Sequence, residues 1–180
     1  MNRPTFEEIM ELRNQALSNA MSHGFHDCNH SNEHYKCLIM SELMESVEAD
    51  RHDRHANLGG FYESEATHPD FVERFEGYIK DTVEDELADT VIRFLDLCGL
   101  RGGYVGKIDW DNICRLEFTG MTFTETAWVI ACTLCGPFDI NVLLGVLFVW
   151  ADHLGFDLME HIRLKMEYNR TRETLHGKKY

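Results

Sequence analysis

The stretch VEDELADTVIRFLDL, Val83 to Leu97, sets Glu86 and Asp89 three residues apart inside a run whose apolar residues Val83, Leu87, Val91 and Phe94 recur with helical period. On a helix that spacing projects both carboxylates from one side, one turn apart. A second stretch, SELMESVEAD from Ser41 to Asp50, repeats the arrangement with Glu42 and Glu45, beside Leu38, Ile39, Leu43 and Val47. All four acids fall at the border of a buried face, where repulsion and desolvation raise carboxylate pKa values unless a cation compensates. A hard divalent ion is the simplest compensation.

Outward from these two stretches the helical period persists. Thr5 and Glu8 form a capping box opening a helix to about His23, and Ser31 or Asn32 starts the helix that carries Glu42 and Glu45, ending near His52. Residues 53–70 read as a long crossover without periodicity, because ANLGGFYESEATHPD holds a Gly pair and a Pro. A long helix from Phe71 to Cys98 follows, with Gly77 as a point where it bends or splits. IDWDNICRLEF reads as a short helix, Thr122 and Glu125 cap a helix to Cys135, Asp139 opens one to about Leu154, and Asp157 with Glu160 caps the last. No segment alternates with period two and no repeat is evident, so residues 1–180 are expected to form one all-α helical bundle.

Bulk properties narrow the function. With 180 residues, 44% of them hydrophobic, the chain has apolar material for one real core. Its formal net charge of -14 disfavours binding to nucleic-acid polymers or anionic membranes, yet admits a nucleotide carried as a metal complex. The charged, amphipathic start MNRPTFEEIMELR lacks a signal-peptide layout, and INVLLGVLFVWA is too short to span a bilayer, so a cytoplasmic protein is expected. Six cysteines scattered through helical segments suit reduced, mostly buried thiols.

On the last helix Lys165, Asn169 and Arg172 form a polar stripe beside the apolar Leu158, Ile162 and Met166. Alone, such a stripe is a solvated helix face; opposite four carboxylates, Lys165 and Arg172 become charge-assisted donors for phosphate oxygens, with Asn169 a neutral donor and acceptor near the metal-bound end. The ordered set of E-x-x-E at Glu42 and Glu45, E-x-x-D at Glu86 and Asp89 within ELAD, and Lys165, Asn169 and Arg172 in KMEYNRTR resembles the all-α nucleoside triphosphate pyrophosphohydrolases of the MazG-like group. The resemblance covers about Tyr35 to Asp96 and Ala151 onward. It implies a MazG-like bundle that hydrolyses an NTP or dNTP to the monophosphate and pyrophosphate, as in house-cleaning of nucleotide pools. It also implies Mg²⁺, or Mn²⁺ in its place, held by Glu42, Glu45, Glu86 and Asp89, one of them orienting the attacking water. A homodimer or homotetramer is expected from the family and from apolar surface such as Leu143 to Trp150.

Other readings stay on the table. A non-catalytic helical interaction protein would use the same acids to bind metal for stability. A di-iron bundle needs E-x-x-H pairs, found only at Glu65 with His68 and Glu173 with His176, beside Pro69 and Gly177. The Cys132–Cys135 pair lacks a redox context, and LRGGYVG lacks the strand of a phosphate loop. The His-rich loop with His23, His26, Cys28, His30 and His34 reads as solvated, with zinc as the alternative. For a base, Asn14 and Gln15 offer hydrogen bonds and Phe6, Phe61, Tyr62 or Trp110 a stacking surface. Arg51, Lys80 and Arg93 are further cations near the acids, and Glu48 and Asp96 further carboxylates.

Overall fold

The computed structural model describes residues 3–103, 105–114, 118, 120–137 and 139–177. Among these, regular structure is entirely helical: α1 (Phe6–Ser22), α2 (Asn32–Arg51), α3 (Leu58–Glu63), α4 (Phe71–Tyr78), α5 (Val83–Leu100), α6 (Trp110–Ile113), α7 (Phe123–Cys135), α8 (Ile140–Leu154) and α9 (Leu158–Thr171), with short turns at Ser64–Ala66 and Thr174–Gly177. The all-α class expected from periodicity is therefore observed. Of the expected short helix at IDWDNICRLEF, residues 115–117 lie outside the described residues, as do Tyr104 of the Gly-rich break and residues 178–180 of the basic tail.

Side-chain caps decide where the longer helices start, because each takes up an N–H that the first turn leaves without a partner. Thr5, Ser31, Asp70, Thr82, Thr122, Asp139 and Asp157 all do this. At Thr5 and Thr122 the glutamate three residues on reaches back, completing two of the three expected boxes. At Asp157 the Glu160 carboxylate instead accepts from the Tyr62 hydroxyl.

α5 is the axis of the bundle, packed by α1, α2, α8 and α9. It buries Leu87, Ala88, Val91, Phe94 and Leu95 around its circumference, which is why its sequence reads as apolar on more than one face. α8 is the buried core helix its sequence predicts, with Leu143, Leu144, Leu147 and Trp150 enclosed. No single described helix is long and apolar enough to cross a membrane.

Three expectations are corrected. The crossover at 53–70 is not structureless: α3 and the following turn fold within it, and Phe61 joins Phe75, Ile79, Leu164 and Tyr168 in a small second core. Its glycines are not turn signals; a Cβ at Gly60 would sit 2.8 Å from the Tyr78 ring, so glycine is there for close packing. The expected helix from Phe71 to Cys98 is two helices, and the break falls after Tyr78 rather than at Gly77. Asp81 turns the chain through the left-handed region (φ 60°), and Thr82 starts α5 by accepting from Asp85 N while donating to Ile79 O at 2.6 Å. Finally, the six cysteines are free as expected, but only Cys98 is buried; Cys28, Cys37, Cys132 and Cys135 are exposed.

Candidate metal centre and adjoining cavity

Starting α5 at Thr82 puts Glu84, Asp85 and Glu86 in its first turn, where the helix dipole favours negative charge. Packing α2 alongside then brings Glu42 to Glu86 and Asp89: one oxygen from each lies within 4.8 Å of the others. Oxygens bound to one Mg²⁺ at about 2.1 Å lie roughly 3 to 4 Å apart, so small rotamer adjustments close this triad on an ion. Asp81, Asp85 and Glu86 form a second such group, which makes Glu86 common to both. Glu42 and Glu86 are 2% and 4% exposed, so neither is a solvated helix edge. Glu45 is exposed and belongs to neither group; α2 turns it outward from Glu42.

α9 supplies the cations and amides. Lys165 Nζ lies 2.7 Å from Asp85 Oδ2 and 3.1 Å from Asp89 Oδ2, and Asn169 Nδ2 donates to Asp89 Oδ1 at 3.2 Å. Both residues are 4% exposed, so the reading of this stripe as a solvated face does not apply to them. Arg172 caps α9 at the other end of the stripe; its guanidinium donates to the His176 carbonyl at 3.2 Å and lies over the Tyr168 ring. Arg93 pairs with Glu42 from within α5. Arg51 and Glu48 are an exposed ion pair, and Lys80 pairs with Asp81.

Asp85 was not among the residues singled out from sequence. The signal was present: Asp85 and Asp89 are spaced i, i+4 on one face, a like-charge pair that destabilises a helix unless a cation answers it. Lys165 is that cation.

The electrostatics follow from burial. Desolvation pushes Glu86 up to about 9; Lys165 opposes this, while Asp85, Asp89 and Glu42 add to it. Desolvation also lifts Asp85 to about 6 despite Lys165. Burial acts on Asp89 in the same sense, but Lys165 and Arg93 outweigh it and hold that carboxyl below its ordinary range. Burial disfavours the Lys165 ammonium, yet Asp89, Asp85 and Glu86 keep it charged and raise its pKa.

A pH dependence of stability results. Glu86 has a folded pKa near 9 against 4.5 unfolded, so between those values the folded state keeps a proton that the unfolded chain has lost, and stability falls as pH rises. Asp85 acts in the same sense only up to about 6. Asp89, depressed, contributes stability that is lost only in acid, and Lys165, raised, contributes stability intact below its ordinary 10.5. His161 and His176 are depressed and neutral above their ordinary 6.5. From pH 7 to 9 Glu86 thus dominates, and the metal-free protein is expected to lose about 2 kcal/mol, or roughly 5 °C in Tm. Thermal unfolding in chelator across that range checks this, and added Mg²⁺ is expected to flatten the slope.

Asp89, Arg93 and Asn169 also line one side of a cavity of about 180 Å³ that runs between α1, α2, α5, the loop after α1 and the C-terminal turn. The His-rich loop, expected to be solvated, forms part of its wall. His23 is buried and bridges Asn19 O (2.8 Å) and Arg172 O (3.0 Å), His26 pairs with Asp96 at 2.7 Å, and the His30 and His34 rings stack at 4.1 Å. Partners from α5 and α9, far away in sequence, fold this loop inward. Among the described residues the loop gathers no set of three ligand atoms, so the zinc alternative has no assembled site. Asn14 and Gln15 face a separate groove between α1 and Arg170, and Phe6, Phe61, Tyr62 and Trp110 do not line the cavity. Phe25, Tyr35, His34 and His176 do, and sequence spacing carried no sign of it.

No protein-family model, no curated protein and no solved structure matches the chain.

Proposed function

We propose that the protein is a metal-dependent nucleoside triphosphate pyrophosphohydrolase of MazG-like type. The observation that carries the reading is the convergence of Glu42 from α2 with Glu86 and Asp89 from α5, one oxygen of each within 4.8 Å of the others, with Asp89 also lining a cavity of about 180 Å³. In this reading Glu42, Glu86 and Asp89 hold Mg²⁺ or Mn²⁺, with Asp85 beside them. When bound, the metal supplies positive charge against the phosphates and acidifies water for attack. Lys165 positions Asp85 and Asp89, Asn169 orients Asp89, and Arg93 holds Glu42, so the carboxylates are preorganised before substrate arrives. Water adds its oxygen to phosphorus, the bond between the α- and β-phosphoryl groups breaks, and the released proton leaves through a carboxylate. Self-association into a homodimer or homotetramer is part of the same proposal, and sedimentation checks it.

A second reading has its own support: Lys165 pairs with Asp85 and Asp89, and Arg93 with Glu42, so cations of the protein itself tie these carboxylates together across α2, α5 and α9. That network would serve a non-catalytic helical protein equally well. Incubation with a panel of ribo- and deoxyribonucleoside triphosphates and Mg²⁺, with pyrophosphate detection, separates the two. Pyrophosphate release from at least one triphosphate is expected; none from any of them sinks the hydrolase reading.

A further inference from the structure

Free cysteine is among the most buried residue types, yet α7 leaves two of its cysteines, Cys132 and Cys135, exposed at spacing i, i+3. That spacing puts them about one turn apart on the same side of the helix. The buried face of α7, with Ala127, Ile130, Ala131 and Leu134, lies elsewhere, so core packing does not explain the pair.

α7 packs along α2, and a third sulfur meets the pair there. The Cys135 thiol points at the Met40 thioether, with Sγ and Sδ 4.0 Å apart across the two helices. Met40 is half-buried against the core, which limits its freedom, while Cys132 is exposed and free. Side chains at i, i+3 have Cβ atoms about 5 to 6 Å apart, a gap that rotation about χ1 closes to a shared ion. Three metal–sulfur bonds of about 2.3 Å in a trigonal plane place the sulfurs about 4.0 Å from one another. The Cys135–Met40 edge of that triangle already has this length.

The donor set selects the ion. Two thiolates and a thioether are soft ligands suited to Cu(I), whereas a structural Zn²⁺ takes four ligands from Cys, His, Asp and Glu and has no use for methionine. Charge favours a cation as well. Cys135 is the last residue of α7, where the helix dipole is negative, and the last turn carries no basic residue to answer it.

We propose that Cys132, Cys135 and Met40 form a three-sulfur site for Cu(I) that joins α7 to α2, separate from the carboxylate centre and independent of the hydrolase reading. Each thiol gives up one proton as the ion binds, and copper stays monovalent throughout.

The test titrates the reduced full-length protein with Cu(I) in the absence of oxygen, against the coloured competitor bathocuproine disulfonate. One Cu(I) per chain is expected to leave the competitor, and X-ray absorption is expected to show three sulfurs at about 2.3 Å. Loss of partners that only orient a ligand weakens metal binding ~10- to 100-fold, so losing a thiolate itself, in Cys132→Ser or Cys135→Ser, is expected to cost more than about 100-fold. Met40→Leu, which keeps volume, is expected to cost about 10-fold, because a neutral thioether is the weakest of the three donors. Cys28→Ser, which alters an exposed thiol elsewhere, is expected to keep wild-type affinity. These side chains are exposed or replaced at equal volume, and an unchanged Tm shows that each variant is folded.

No transfer of copper from the competitor overturns the site. Wild-type affinity in Cys132→Ser or Cys135→Ser overturns it too, since copper is then held by adventitious thiols. Wild-type affinity in Met40→Leu, or two sulfurs in linear coordination, removes the thioether and with it the three-sulfur site. Displacement of the copper by equimolar Zn²⁺ overturns the choice of a soft ion.

Discussion

Glu86→Gln is expected to abolish metal-dependent turnover, lowering kcat/KM by about 10³-fold, while leaving the protein folded and more resistant to heat at pH 9 in chelator. The two effects share one cause. Glu86 is 4% exposed and common to both groups of convergent carboxylates, so an amide there removes a ligand that no neighbour replaces. The same burial keeps the metal-free carboxyl protonated up to about pH 9, and glutamine reproduces that neutral form in shape and hydrogen bonding without the cost of ionising it. The variant should therefore lose the fall in stability between pH 7 and 9 along with its calorimetric response to Mg²⁺. Equal Mg²⁺ binding by variant and wild type would remove Glu86 from the metal centre. A steep pH slope persisting in the variant would remove it as the titrating group.

Lys165→Met should act in the opposite direction on stability. The ammonium is buried among Asp85, Asp89 and Glu86, and deleting one partner of a buried ion pair leaves charge without compensation, at a cost of about 3 to 5 kcal/mol. In a chain of this size that is roughly 10 °C in Tm. Because the carboxylates then lack their internal cation, Mg²⁺ should recover more stability in this variant than in the wild type, through ordinary binding linkage. Thermal scans of both proteins with and without Mg²⁺ measure the difference. An equal metal response in the two would show that ammonium and ion do not answer the same negative charge.

How much could be read in advance differed by element. Thr5 with Glu8, Ser31, Thr122 with Glu125, Asp139 and Asp157 marked helix starts correctly, since a cap is a contact between residues two or three apart. The break before Thr82 is not legible locally because its cause is a backbone turn at Asp81, whereas Gly77, the more visible breaker, has open space around it and stays helical. The glycine pair before Phe61 reads as a loop because the tight contact of Gly60 with Tyr78 is invisible to local reading.

For the candidate site the division has the same origin. Glu42, Glu86 and Asp89 were legible because acids at the edge of an apolar period are unusual enough to ask for a cation, and that argument is local. Three things lay beyond it: Glu45 facing outward, Asp85 taking the ion pair with Lys165, and the histidines turning inward as a cavity wall. Each depends on which face α2, α5 and α9 present to one another, and that is settled by burying Leu43, Leu87, Val91 and Ile162 together. Helical class and cap positions follow from interactions a few residues long. The grouping of carboxylates, lysine and cavity follows from apolar contacts across more than a hundred residues, which rotate each helix until its core face is covered and leave the polar side chains wherever that rotation carries them.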